Sequence, residues 1–208
     1  MNRREFGKMS LGGVALLYVA KFLTACGIPV ATFVSMGLNL IGTVLPTIPG
    51  ILAAFGNLTG KTITPAQVAQ LTAVFQGVGD LFTQAETALN AFNANNDPTL
   101  IAKIQDILGQ IKTKLSAVLT DIQIKDVATV SKITSIVNSF IDLANNVLTI
   151  LPTIVNGKLQ ARKVSHARVQ AATAEAWAPR FNRAVGAPTG STDVDAAFAN
   201  VKAVVVQR

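Results

Sequence analysis

From residue 64 onward the chain repeats apolar side chains at alternating intervals of three and four, and this spacing leaves few folds open to it. Val68, Leu71, Phe75, Val78, Phe82, Ala85, Leu89 and Phe92 form one such seam. Ile101, Ile104, Leu108, Ile111, Leu115, Val118 and Ile122 form a second; Val130, Ile133, Val137, Phe140, Ala144, Val147 and Leu151 form a third. Such a repeat stays on one side of an α-helix, whereas a strand would need alternation by two. The breaks between seams carry helix-starting chemistry. Thr64-Pro65 offers an N-cap residue followed by proline at the first helical position. Asp97-Pro98 repeats the device after a polar run from Asn93, and 121–125 reads as a tight break. Pro152 stops the last of these helices. Apolar stripes on helices joined by short connections pack antiparallel, at about +20°.

The stretch Ile28–Phe55 carries no charge, so a membrane span is one reading of it. However, Thr32, Ser35, Asn39, Thr43 and Thr47 form a polar stripe opposite Val34, Leu38, Ile41, Leu45, Ile48 and Leu52. Pro46, Pro49 and Gly50 would also break a span. The pattern favours a bundle helix ending near Leu45. The predicted fold is therefore all-α: an antiparallel four-helix bundle over 26–157. Leu-Pro-Thr-Ile occurs at 45–48 and again at 151–154. Either a duplicated hairpin or two helices ended by one proline device accounts for the repeat.

Composition narrows the function. Half of the residues are hydrophobic and 14% are charged, which excludes an intrinsically disordered chain. One cysteine and one histidine exclude an internal disulfide and the usual structural zinc sites. Aromatics at 6% argue against a stacking platform for nucleic acid. His166 is the only imidazole, and the glutamates are Glu5, Glu86 and Glu175. Asp97 and Asp193 read as helix caps and the other aspartates as solvent-face charges. No Glu-x-x-His signature, phosphate loop or dinucleotide glycine motif occurs. Gly77-Val78-Gly79 sits inside a helical pattern and reads as a close helix approach. The apolar stripes read as core rather than as a ligand or cofactor box. Neither catalytic residues nor a cofactor site are expected.

The N-terminus reads as an address. A charged start, Asn2 to Lys8, precedes a mild apolar run from Met9 to Ala20, too short to cross a bilayer. Arg3, Arg4, Phe6 and Lys8 match the pattern Ser/Thr-Arg-Arg-x-Phe-Leu-Lys, with Asn2 and Gly7 departing from it. This stretch resembles a twin-arginine translocation signal. Leu23-Thr24-Ala25-Cys26 resembles the bacterial lipobox. The resemblance implies export, removal of residues 1–25 and a diacylglyceryl group on the Cys26 sulfur. Gly27, rather than aspartate, implies the outer membrane where the host has two. The resemblance covers the signal alone.

Composition shifts at Lys158. Residues 26–157 carry six lysines, no arginine and seven acids; residues 158–208 carry three lysines, five arginines and three acids. Lys158 to Arg168 reads as a basic helix reaching toward Trp177. Arg180 to Ser191 reads as a loop, and a last short helix comes after it with Val194, Ala197, Phe198 and Val201 on its apolar face. Residues 158–208 are thus expected as a basic helical extension of the bundle. Its charge is either a solvated face or, through Lys158, Arg162, Lys163 and Arg168, a contact for an anionic surface.

Together these readings predict a non-enzymatic, lipid-anchored envelope protein, a scaffold or accessory subunit. Its expected partners are the membrane, through Cys26, and other envelope proteins, with no nucleic acid. Two other functions fit the pattern: a membrane-active bundle inserting Ile28–Phe55, and a binder of an apolar ligand between helices.

Overall fold

A computed structural model describes residues 30–95, 97–151, 153–155, 158–160 and 165–201. The elements run α1 (Val30–Val44), α2 (Thr47–Leu58), α3 (Pro65–Asn95), α4 (Pro98–Asp121), α5 (Val127–Ile150), β1 (Thr153–Val155), β2 (Lys158–Gln160), α6 (His166–Ala171), α7 (Ala174–Gly186) and α8 (Thr192–Phe198). Among the described residues the fold is all-α apart from the two three-residue strands.

The three seams become α3, α4 and α5. On α3 every seam residue from Leu71 to Phe92 is buried, and on α4 every one from Ile101 to Val118. The starting devices operate as capping. The Thr64 hydroxyl accepts from the Gln67 amide at 3.3 Å while the Gln67 side chain accepts from the Thr64 amide at 2.8 Å, a reciprocal capping box. Asp97 accepts from the Thr99 amide at 2.9 Å. Asp126, expected as a solvent-face charge, instead caps α5 by accepting from the Thr129 amide at 2.7 Å. The first helix ends at Val44, as its pattern predicts.

Chain directions come from two close contacts. A Cβ built on Gly37 would lie 2.7 Å from Leu89, and one on Gly79 would lie 3.7 Å from Ile48. As α1 and α2 advance, their α3 partners recede, so this stretch runs antiparallel to α3. The close helix approach is therefore at Gly37; a Cβ at Gly77 or Gly79 would meet only ordinary contacts, the nearest at 3.8 and 3.7 Å.

The C-terminal part departs most from expectation. Residues 158–160 form a strand, not a basic helix, with Thr153 opposite Gln160 and Val155 opposite Lys158. Two residues separate the strands, and they are Asn156-Gly157, the pair that most favours a two-residue hairpin. The predicted loop at 180–191 is largely helix, because α7 continues through Pro179 to Gly186. Proline removes one backbone donor inside α7. Burial of Ala174, Trp177, Ala178, Phe181 and Val185 at helical spacing offsets that loss.

Most of these residues, with Val194, Phe198 and Val201, belong to the same core as the seams of α3–α5. The segment expected as a basic extension is therefore part of the wall of the fold. Contacts pass from α1 to α3, α4, α5 and α7, and from α7 back to α1. Helix α7 packs against both α5 and α1. A chain of rings joins the parts. Phe198 meets Phe55 at 6.2 Å, Phe55 meets Phe75 at 5.3 Å, and Phe75 meets Phe140 at 6.3 Å. Phe140 in turn meets Trp177 at 5.4 Å and Phe181 at 5.6 Å.

Candidate functional site

The export residues Arg3, Arg4, Phe6 and Lys8 and the lipidation candidate Cys26 lie outside the described residues, as do Arg162 and Lys163. Lys158 stands in β2, opposite Val155. Arg168 is exposed in the last turn of α6, where its charge complements the helix dipole. The structure describes no cluster formed by these four basic residues.

It does describe the end of the molecule from which the hairpin departs. Leu151, just before β1, and Ala172, just after α6, line one small cavity with Met36, Gly37 and Leu40 of α1 and with Leu89 of α3. Because α1 runs antiparallel to α3, the start of α1 lies toward the α3–α4 connection. The chain that carries Lys158 and Arg168 thus leaves and rejoins the core in the half of the molecule where α1 begins. This cavity is apolar and measures about 30 Å³. That is room for about one water, against roughly 300–1,000 Å³ for small-molecule sites.

The opposite end holds a polar node that the sequence pattern does not anticipate. The third seam places Val130 inward, yet Val130 is 38% exposed and Lys132 is buried. The Lys132 ammonium donates to the carbonyls of Ala184 at 3.4 Å, Val185 at 2.7 Å and Ala187. These are carbonyls at the C-terminal end of α7, which have no further helical donors. A cation there also meets the negative end of the helix dipole. The Asp195 carboxylate lies 4.0 Å away and itself accepts from the Thr189 amide and hydroxyl. Burial pushes the Lys132 ammonium below its usual value of 10.5, and Asp195 draws it part of the way back. Beside it, the Thr129 hydroxyl donates to that of Thr62 at 2.9 Å. The node ties α5, the α2–α3 connection, α7 and α8 together.

Asp193 is not a cap. Its carboxylate pairs with exposed Lys61 at 3.4 Å, while no side chain caps α8 at Ser191. Thr43 and Thr47, expected on a polar face, are buried and satisfied by the carbonyls of Asn39 and Val44 at 2.8 and 2.7 Å. Among the described residues no three His, Cys, Asp or Glu side chains gather as a metal site. Two stretches, Val34–Leu58 and Val127–Ile150, are long and apolar enough to cross a membrane, and half of an 18-residue apolar window in each is buried within the fold. A core helix passes the same test of length and composition.

No family model, curated protein or solved structure matches the chain.

Proposed function

We propose that this is an exported, lipid-anchored helical protein of the bacterial cell envelope, acting as a non-enzymatic scaffold or accessory subunit. The observation that carries the reading is the pairing of Arg3-Arg4-x-Phe6-x-Lys8 with Leu23-Thr24-Ala25-Cys26 in one N-terminal segment. Processing before Cys26 would leave only Gly27, Ile28 and Pro29 between the lipidated residue and α1. Four residue steps span at most about 14 Å. A lipid on Cys26 would therefore hold the α1 end of the fold against the membrane. Leu151 and Ala172, at the two ends of the stretch that carries Lys158, Arg162, Lys163 and Arg168 in sequence, lie in that same half, and we infer that these basic residues meet anionic headgroups there. One lipid signal with a basic patch holds more firmly than either alone.

The scaffold we infer is an antiparallel bundle of α1, α3, α4 and α5, with α7 as its added wall. The apolar-ligand reading draws no support from a cavity of about 30 Å³. The deciding experiment is the intact mass and N-terminal peptide of the protein purified from its host's membranes. The reading expects a chain beginning at Cys26 with added acyl mass. A chain that still carries Met1 to Ala25 would overturn it.

A further inference from the structure

Helices α5 and α7 pack through their apolar faces but leave a half-open groove along their outer edge. It measures about 320 Å³, at the lower bound of small-molecule sites. Ser135, Asn138, Asp142 and Asn146 line one side, a stripe along α5 at intervals of three and four. Arg180 of α7 lines the other. The floor is the buried Trp177 indole, held from two directions. Its Nε1 donates to the Ser139 carbonyl at 3.0 Å, and its ring stacks on Phe181 at 4.8 Å.

Two features of this groove bear on what it can hold. Asp142 and Arg180 have opposite charges and line one concavity, yet they form no ion pair with each other or with another described residue. The Asn146 amide donates to the Ala171 carbonyl at 3.2 Å, which fixes the side chain at the groove's edge. A rigid aromatic floor thus lies beneath one fixed amide, one carboxylate and one guanidinium. A guanidinium takes a carboxylate in bidentate fashion, and a carboxylate takes an ammonium. We propose that the α5–α7 groove binds a small zwitterion of free amino-acid size, its carboxylate on Arg180 and its ammonium on Asp142.

Trp177 is the chain's only tryptophan, so its emission reports from the floor of the groove without a label. The test titrates the full-length protein with each of the non-aromatic standard amino acids while Trp177 is excited selectively. Any amino acid that responds is then compared with its N-acetylated and its carboxamide forms. The proposal expects a saturable change for at least one free amino acid. Each blocked form should bind at least about tenfold more weakly, because one charge-assisted contact is lost. Arg180→Gln and Asp142→Asn should weaken binding by a similar factor, with melting temperatures near that of the parent. The absence of any saturable response up to about 10 mM, tested independently by calorimetry, would overturn the proposal. Equal binding of free and blocked forms, or unchanged affinity in both variants, would do the same.

Discussion

Helices α3–α5 and the segment from α6 to α8 reach the same core by different routes. In α3 and α4, and in α5 from Ile133 to Ala144, the apolar residues recur so regularly that the buried face can be read directly from the spacing. In the C-terminal segment the inward residues are few, interrupted by Pro179 and interleaved with Arg180 and Arg183. Yet Phe181 and Phe198 are as fully buried as Phe75 and Phe140. Density of apolar residues identifies a self-evident helix face. It does not measure how much a segment contributes, because one aromatic side chain at an interhelical junction contacts several elements at once.

Truncating one aromatic side chain in each region measures what each contributes to the core. Phe181→Ala should cost about 3–5 kcal/mol, the range for a buried phenylalanine, and Phe82→Ala should cost a similar amount. Urea unfolding of both variants checks this. A Phe181→Ala cost below about 1 kcal/mol would make the C-terminal segment an ornament on a self-sufficient bundle.

Lys132 tests the joint between the regions. Lys132→Met keeps most of the side-chain volume but leaves the carbonyls of Ala184, Val185 and Ala187 without their donor. A loss of about 1–3 kcal/mol is expected, with faster hydrogen exchange at the end of α7. The same residue gives a pH signature. Its folded-state value lies below 10.5, so the unfolded chain holds this proton more tightly than the folded one. Stability contributed by this group is therefore lowest with the ammonium charged and rises as pH increases toward 10.5. The stability difference between the parent and Lys132→Met should shift in the parent's favour over that interval; unfolding midpoints at successive pH values would read it.

Smaller effects sharpen the picture at the helix ends. Asp126→Ala removes the α5 cap and should cost about 1 kcal/mol. Asp193→Ala removes only the exposed pair with Lys61 and should cost less than about 1 kcal/mol. The reverse order in urea midpoints would mean that the α8 junction depends on that surface pair rather than on Phe198 and Val194.

The legible and illegible parts divide along physical lines. Thr64, Asp97 and the three seams are readable because capping and helical periodicity are local. Lys132 is not, since its partners are carbonyls more than 50 residues away and a lysine beside a seam ordinarily faces water. Its nearest sequence signal is the mismatch at Val130, where continuing the stripe through Thr129 and Ile133 leaves Val130 outside. The hairpin has a signal in Asn156-Gly157, but strands of three residues carry too little alternation to show as strands. Leu-Pro-Thr-Ile makes the same point twice. At 45–48 it leads into α2, where Ile51, Phe55 and Leu58 continue an apolar face. At 151–154 it leads into β1, ahead of Asn-Gly. The tetrapeptide ends a helix in both places, and the residues after it decide whether the next element is a helix or a strand. The α5–α7 groove is invisible at the sequence level because its two sides come from segments separated by the hairpin and α6.

If the segment from α6 to α8 is a wall of one cooperative core, it must unfold with the rest of that core. Native-state hydrogen exchange measures it most directly, by comparing Phe181–Val185 in α7 with Ile107–Leu115 in α4 across rising denaturant. Both sets of amides are expected to open with the same free energy and the same denaturant dependence, through one global unfolding. Exchange of the α7 amides through a separate, lower-energy opening, with α4 still protected, would contradict it.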